Sequence, residues 1–115
     1  MKNYCYLLGT VFLFLITGCA NDSTDDLTEP ITGPVTYQAH VKAIFNNNCI
    51  SCHGGVLPQM GLSLETYAEV RAAVESGKVL ARMTNVENPM PPTGLLPSTT
   101  LDVIRQWRDG GYLEE

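Results

Sequence analysis

An all-α domain of three to four short helices, completed by one bound group, is the fold class this sequence predicts. Three observations point to it. Apolar residues recur at helical spacing in three separate stretches after residue 36. No stretch alternates apolar and polar residues as a half-buried strand does. A domain of roughly eighty residues in short helices also makes a thin core, and chains of this size commonly need a staple, a metal or a cofactor.

The 115 residues leave room for one domain and no second core, because the front of the chain has the character of an export segment. Lys2 precedes an apolar run from Tyr6 to Ile16, too short for a bilayer core that takes about 20 helical residues, but suited to a secretory signal. Ile16-Thr17-Gly18-Cys19 follows and resembles the lipobox of bacterial lipoproteins, in which the cysteine is acylated and becomes the first residue of the mature chain. Residues 1–18 are therefore expected to be a lipoprotein signal peptide, with Cys5 discarded along with it and Cys19 lipidated. An ordinary signal cleaved after a small residue, with Cys19 left as a free thiol or disulfide partner, is the alternative. Each buried methylene of an acyl chain contributes about 0.8 kcal/mol, so several chains tether a small domain to a membrane without spanning it. Ala20, where an aspartate would favour inner-membrane retention under the sorting rule of some two-membrane bacteria, leans the expected location within the cell envelope to the outer membrane.

Residues 19–35 then read as a flexible acidic linker. Asp22, Asp25, Asp26 and Glu29 lie here with two prolines, one glycine and no basic residue. Fifteen such residues reach about 50 Å when stretched, at roughly 3.3 Å each. The domain is expected over residues 36–115, where six Lys or Arg face eight Asp or Glu, so most of the net charge of −5 sits in the linker. With no basic stripe, nucleic acid is excluded as a partner.

The first helix is read from Tyr37 to Phe45, where Tyr37, Val41, Ile44 and Phe45 fall at i, i+4, i+7 and i+8 behind Thr36 as N-cap. A second is expected over Ser63 to Ser76, with Leu64, Tyr67, Val70 and Val74 on one face, Glu65 and Glu69 in its N-terminal half, and Gly77 as the stop. A short turn follows around Val79 to Met83. The last helix is expected from Thr100 to Asp109, with Thr99 and Asp102 spaced as a capping box, Val103, Ile104 and Trp107 inward, and Gly110-Gly111 ending it. Trp107 and Tyr67 are core aromatics first, and in so small a core they are expected to touch the bound group.

Between the first two helices lies Cys49-Ile50-Ser51-Cys52-His53. Four chemistries compete for it. A structural zinc site needs four ligands, and beyond these three the domain offers only His40. A thioredoxin-like pair belongs at a helix start after a strand, and no strand pattern precedes this one. A plain disulfide leaves His53 without a role. Covalent haem attachment uses all three residues, and Cys-x-x-Cys-His is its known signature. Two thiols three positions apart on a helical turn project to one side and can form thioethers with the two vinyl groups on a haem edge, while the next residue brings an imidazole to the iron. This is the favoured reading, and it agrees with export from the cytoplasm.

A low-spin electron carrier needs a second axial ligand, and methionine sulfur raises the potential relative to a second histidine. Met60 lies only seven residues after His53, a short lead for a chain that must pass round the macrocycle. Met83 reads as a core filler. Met90 stands in Asn88-Pro89-Met90-Pro91-Pro92, where three prolines restrict the loop before any ligand binds. Met90 is the expected sixth ligand, and His40 is expected to be a partly exposed polar residue on the first helix.

From about residue 36 to 112 the chain resembles the monohaem c-type cytochromes. The residues that carry the likeness are Val41 to Phe45, Cys49 to Gly54, Leu62 to Val74, Met90-Pro91-Pro92 and Ile104 to Gly111. The resemblance implies a cytochrome c-like fold around one covalent haem c, with N- and C-terminal helices crossing beside it. The glycine that many relatives carry in the first helix at that crossing has no counterpart between Tyr37 and Phe45, so a different packing is expected there. The implied function is one-electron transfer between a redox protein donor and acceptor in the cell envelope, with no enzyme activity and no small-molecule substrate. A haem-based small-ligand sensor, or an electron-entry domain for a separate dehydrogenase, is the alternative.

Overall fold

The computed structural model describes residues Ile31–Glu115; the expected signal peptide, Cys19 and most of the expected linker lie outside the described residues. Every regular element among the described residues is helical, and none is a strand. A wide π-type turn, Tyr37–Val41, runs into α1, Lys42–Asn48. There follow α2, Ile50–His53, a single 3₁₀ turn at Gln59–Gly61, α3, Tyr67–Glu75, α4, Lys78–Met83, and α5, Ser98–Asp109.

Thr36 caps the first turn as its sequence position predicts, its hydroxyl accepting from the Ala39 N–H at 3.4 Å. The turn is widened because the Thr36 carbonyl accepts from both His40 and Val41, a shared i−4 and i−5 bond. His40 folds back on this start, its Nδ1 accepting from the Thr36 N–H at 3.1 Å. Two further N–H groups, of Tyr37 and Gln38, would be orphaned at a helix start; they donate to the Leu113 and Glu114 carbonyls of the C-terminal tail at 2.9 and 3.0 Å. The tail thus closes the beginning of the domain.

The core forms where the inward faces meet. Trp107, Phe45, Ile104, Val41, Val70 and Val74 are its largest fully buried side chains, and they come from the first, third and last helices. The crossing of first and last helix is filled by aromatic rings in place of a glycine. Tyr37 lies 5.9 Å from Trp107 and 5.4 Å from Tyr67, with Tyr112 edge-on to Trp107 at 5.1 Å. Their polar atoms are satisfied by the same tail, since Trp107 Nε1 donates to Leu113 O at 2.8 Å and the Tyr67 hydroxyl to Tyr112 O at 2.7 Å.

Several boundaries differ from those expected, and the first helical run continues to Asn48, past its expected end at Phe45. Val35, placed at the end of the linker, is only 5% exposed, so the packed unit begins one residue earlier. The second helix begins at Tyr67, four residues later than Ser63, because Thr66 and Glu69 form the stronger start: the Thr66 hydroxyl accepts from the Glu69 N–H while the Glu69 carboxylate accepts from the Thr66 N–H. Leu64 is buried all the same, outside the helix, its N–H donating to the His53 carbonyl at 2.8 Å. The last helix begins at Ser98, directly after Pro97, and the Thr99–Asp102 box does not form; Asp102 pairs instead with Arg105 at 2.8 Å.

Candidate functional site

The helical run that starts at Tyr37 breaks at Cys49, whose φ of −124° and ψ of −41° separate α1 from α2. One turn of helix then places Cys52 and His53, since the Cys49 carbonyl accepts from both of their N–H groups, at 3.1 and 2.8 Å. Gly54 follows where no side chain fits. A Cβ there would stand 2.7 Å from Ile50 Cγ2 and 2.8 Å from the Ile50 carbonyl oxygen. The glycine after the histidine is therefore a requirement of the turn, which must fold tightly against α2.

His53 Nδ1 lies 3.1 Å from the Leu62 carbonyl oxygen. A carbonyl can only accept, so Nδ1 carries a proton, and in the neutral ring the lone pair is then on Nε2. Metal-binding histidines are oriented in this way, the nitrogen that does not bind being held by a carbonyl or carboxylate. Leu62 lies beyond a loop that is free of charged residues from Gly54 to Leu64, and that turns through positive φ at Gly55, Met60 and Gly61.

Cys49 and Cys52 are both unpaired. Burial pushes the Cys49 thiol up to about 11. It is protonated at neutral pH, whereas redox-active pairs lower the pKa of the attacking thiol.

A cavity of about 530 Å³ opens beside these residues. Cofactor sites typically enclose about 300–1,000 Å³. Cys49, Cys52 and His53 form part of its wall, and Met90, Pro91 and Pro92 another part. The four predicted site residues of the domain are thus gathered around one space. The Met90 loop is tied down, with the Met90 N–H donating to the Arg82 carbonyl at 3.1 Å at the end of α4. The other two methionines of the domain also reach the cavity. Met83, on α4, is 2% exposed and forms part of the apolar lining with Val79. Met60 lies at the rim, 98% exposed.

Among the described residues no three His, Cys, Asp or Glu side chains stand close enough together to hold a bare metal ion. What converges on the cavity is two thiols, one oriented imidazole and thioether sulfur, a donor set that matches a macrocycle bound through its edge and its metal. His40 is not part of this wall, being engaged at the start of the first helix. Trp107 and Tyr67, expected to touch the bound group, do not line the cavity either; their rings pack with Tyr37 and Tyr112 under the C-terminal tail. Sequence reasoning missed the Leu62 carbonyl, since a backbone acceptor nine residues away leaves no mark in residue type. It also missed Lys78 and Arg82, which line the cavity from α4 and whose i, i+4 spacing was the available signal.

Among the described residues no helix is long and apolar enough to cross a membrane. No family model, curated protein or solved structure matches this chain.

Proposed function

We propose that the domain is a monohaem cytochrome c, tethered through Cys19 to a membrane of the bacterial envelope, that carries single electrons between two redox proteins. The observation that carries this reading is the convergence on one cavity of Cys49, Cys52, an imidazole with its Nδ1 committed to Leu62, and Met90. A haem in the cavity supplies reversible one-electron chemistry at its iron. The residues of the chain supply the rest.

Cys49 and Cys52 would each add an S–H bond across one vinyl group, sulfur to one carbon and hydrogen to the other, so nothing leaves and the cofactor cannot dissociate. His53 would ligate through Nε2, its ring fixed by the Leu62 carbonyl. Met90 would ligate through sulfur from a loop stiffened by Pro89, Pro91 and Pro92 and anchored on Arg82. Met83 and Val79 form apolar lining that would raise the potential of a bound haem by excluding water. The packing of the first turn against α5 agrees with the helix crossing of the cytochrome c-like fold, which is part of this proposal. With His53 and Met90 both bound to it, the iron would have no site for a substrate, and the acidic linker read from the sequence would let the domain reach both donor and acceptor.

Carbon monoxide tests this against a gas-sensing role. The reduced, haem-loaded protein is expected to keep its visible spectrum unchanged when the gas is added. Rapid and complete conversion to a carbonyl spectrum would show that the sixth position is open, and would favour a small-ligand sensor.

A further inference from the structure

Val56, Leu57 and Met60 are 97, 92 and 98% exposed, and they fall within five positions of a stretch that carries no charged residue from Gly54 to Leu64. Val86 and Leu95 elsewhere are less exposed, and single apolar residues of that kind are usual on a protein surface. Slack in the chain does not account for the three. The loop leaves His53 and returns to it: the Leu62 carbonyl accepts from the ring Nδ1 at 3.1 Å, and the Leu64 N–H donates to the His53 carbonyl at 2.8 Å. Between these ties the chain bends through positive φ at Gly55, Met60 and Gly61. The Pro58 and Gln59 carbonyls accept from the N–H groups of Gly61 and Leu62 at 3.0 and 3.1 Å, so the turn satisfies part of its own backbone.

Apolar side chains held so fully in water need an apolar surrounding from outside the domain. A protein partner would have to offer a socket for each of the three, whereas a bilayer interface accepts any apolar projection. Two properties of the loop suit the bilayer. It has no charge to desolvate, the largest cost of entry, and Pro58 has no N–H to strip of water. Cys19 also lies only twelve residues before Ile31, about 40 Å of chain at full stretch, so a lipid on that cysteine would keep the domain beside the membrane. At so short a range the surface is met continually, and a small apolar projection suffices where a free domain would need a larger face. A second point of attachment also steadies an acyl anchor.

We propose that the loop from Gly55 to Gly61 dips into the interfacial layer of the membrane to which the chain is tethered, with Val56, Leu57 and Met60 as its apolar tip; this rests on the tether through Cys19 proposed above. Met60 also lines the cavity, so embedding the loop brings that border of the cavity to the membrane surface and gives the tethered domain one orientation.

The test uses the lipidated, haem-loaded full-length protein on phosphatidylcholine vesicles, with lipid and haem content fixed by intact mass. Hydrogen–deuterium exchange is read by mass spectrometry over residues 54–64. The Val56 and Leu57 N–H groups have no intramolecular acceptor among the described residues, so in water they exchange at close to the rate of an unfolded chain. On the vesicles the wild type is expected to exchange about tenfold more slowly there, and Val56→Ser/Leu57→Ser to return to the unprotected rate. Should that variant not fold, the wild-type rate alone decides. Protection should persist in salt of about 1 M, where charges are screened beyond about 3 Å. Unprotected loop amides in a lipidated wild type would overturn the proposal while leaving the tether and the haem reading intact, and would turn the loop toward a protein partner. Equal protection in a folded double variant, or protection lost in salt, would also overturn it. So would protection that grows with the density of protein on the vesicles, which would show contact between copies. A wild type that carries no lipid would overturn the tether and this proposal together, whatever its haem content.

Discussion

His53 Nδ1 donates to the Leu62 carbonyl, and that single hydrogen bond fixes the ring in the orientation that the proposed ligation through Nε2 would need. Its counterpart on the far stretch of chain is Met90, half-buried and held by its own N–H to Arg82. Met83 has the same sulfur and reaches the same cavity, but it is fixed in the packed face of α4 with 2% of its surface exposed. The two methionines therefore predict different phenotypes. Met90→Ala should abolish the weak far-red band of ferric iron bonded to methionine and lower the potential, with little loss of fold. Met83→Ala should keep the band and cost about 2–5 kcal/mol of stability, as truncation of a buried methionine does. Spectra and thermal unfolding of the two haem-loaded variants decide it, and the reverse pattern would assign the ligand to Met83.

At the scale of elements, the start of α3 governs how the loop from the histidine is delivered to the core. The capping box of Thr66 and Glu69 begins the helix, and the extended residues before it carry Leu64 into the core and onto the His53 carbonyl. Thr66→Ala should therefore cost about 1 kcal/mol, the usual loss for a removed N-cap. The Glu69 carboxyl is held below the ordinary glutamate range, first by the Thr66 hydroxyl and then by the Thr66 N–H and Ser63. A depressed folded-state value means that the contribution of the carboxylate is complete above the ordinary glutamate pKa and is lost as pH falls through the lowered one. Thermal midpoints of wild type and Glu69→Gln should converge on acidification through that range; a gap independent of pH would show that the carboxylate is not the stabilising form. Helix existence was legible in the spacing of Val41, Phe45, Val70, Val74, Ile104 and Trp107, all of which are buried. Helix starts were less so, because Ser63, Thr66, Thr99 and Asp102 all have capping chemistry and residue type alone does not choose among them. Leu64 on His53 selected one start and Pro97 the other.

Across the described domain, the aromatic cluster of Tyr37, Tyr67, Trp107 and Tyr112 shares no residue with the lining of the cavity. The separation explains why Trp107 and Tyr67 are not at the site: the rings that close the first and last helices are needed under the tail, where their polar atoms find carbonyl partners. That Cys49, Cys52, His53 and Met90 line one cavity agrees with what the sequence led us to expect, because Cys-x-x-Cys-His gathers three of them within five positions and Pro-Met-Pro-Pro marks a stiff loop for the fourth. Lys78, Arg82 and the Leu62 carbonyl were not, since nothing in the spacing links α4 or a backbone oxygen to residues 49–53 before the chain folds. The loop from Gly54 to Leu64 carries no charged residue and leaves Val56, Leu57 and Met60 exposed, and of these Met60 lines the cavity.

The most direct test of the account is the intact mass and visible spectrum of the protein after expression in a host that matures c-type cytochromes. The account predicts a red protein whose mass exceeds that of the lipidated polypeptide by one haem, retained after denaturation because both thiols are bonded to it. A colourless product with the mass of polypeptide and lipid alone would contradict it.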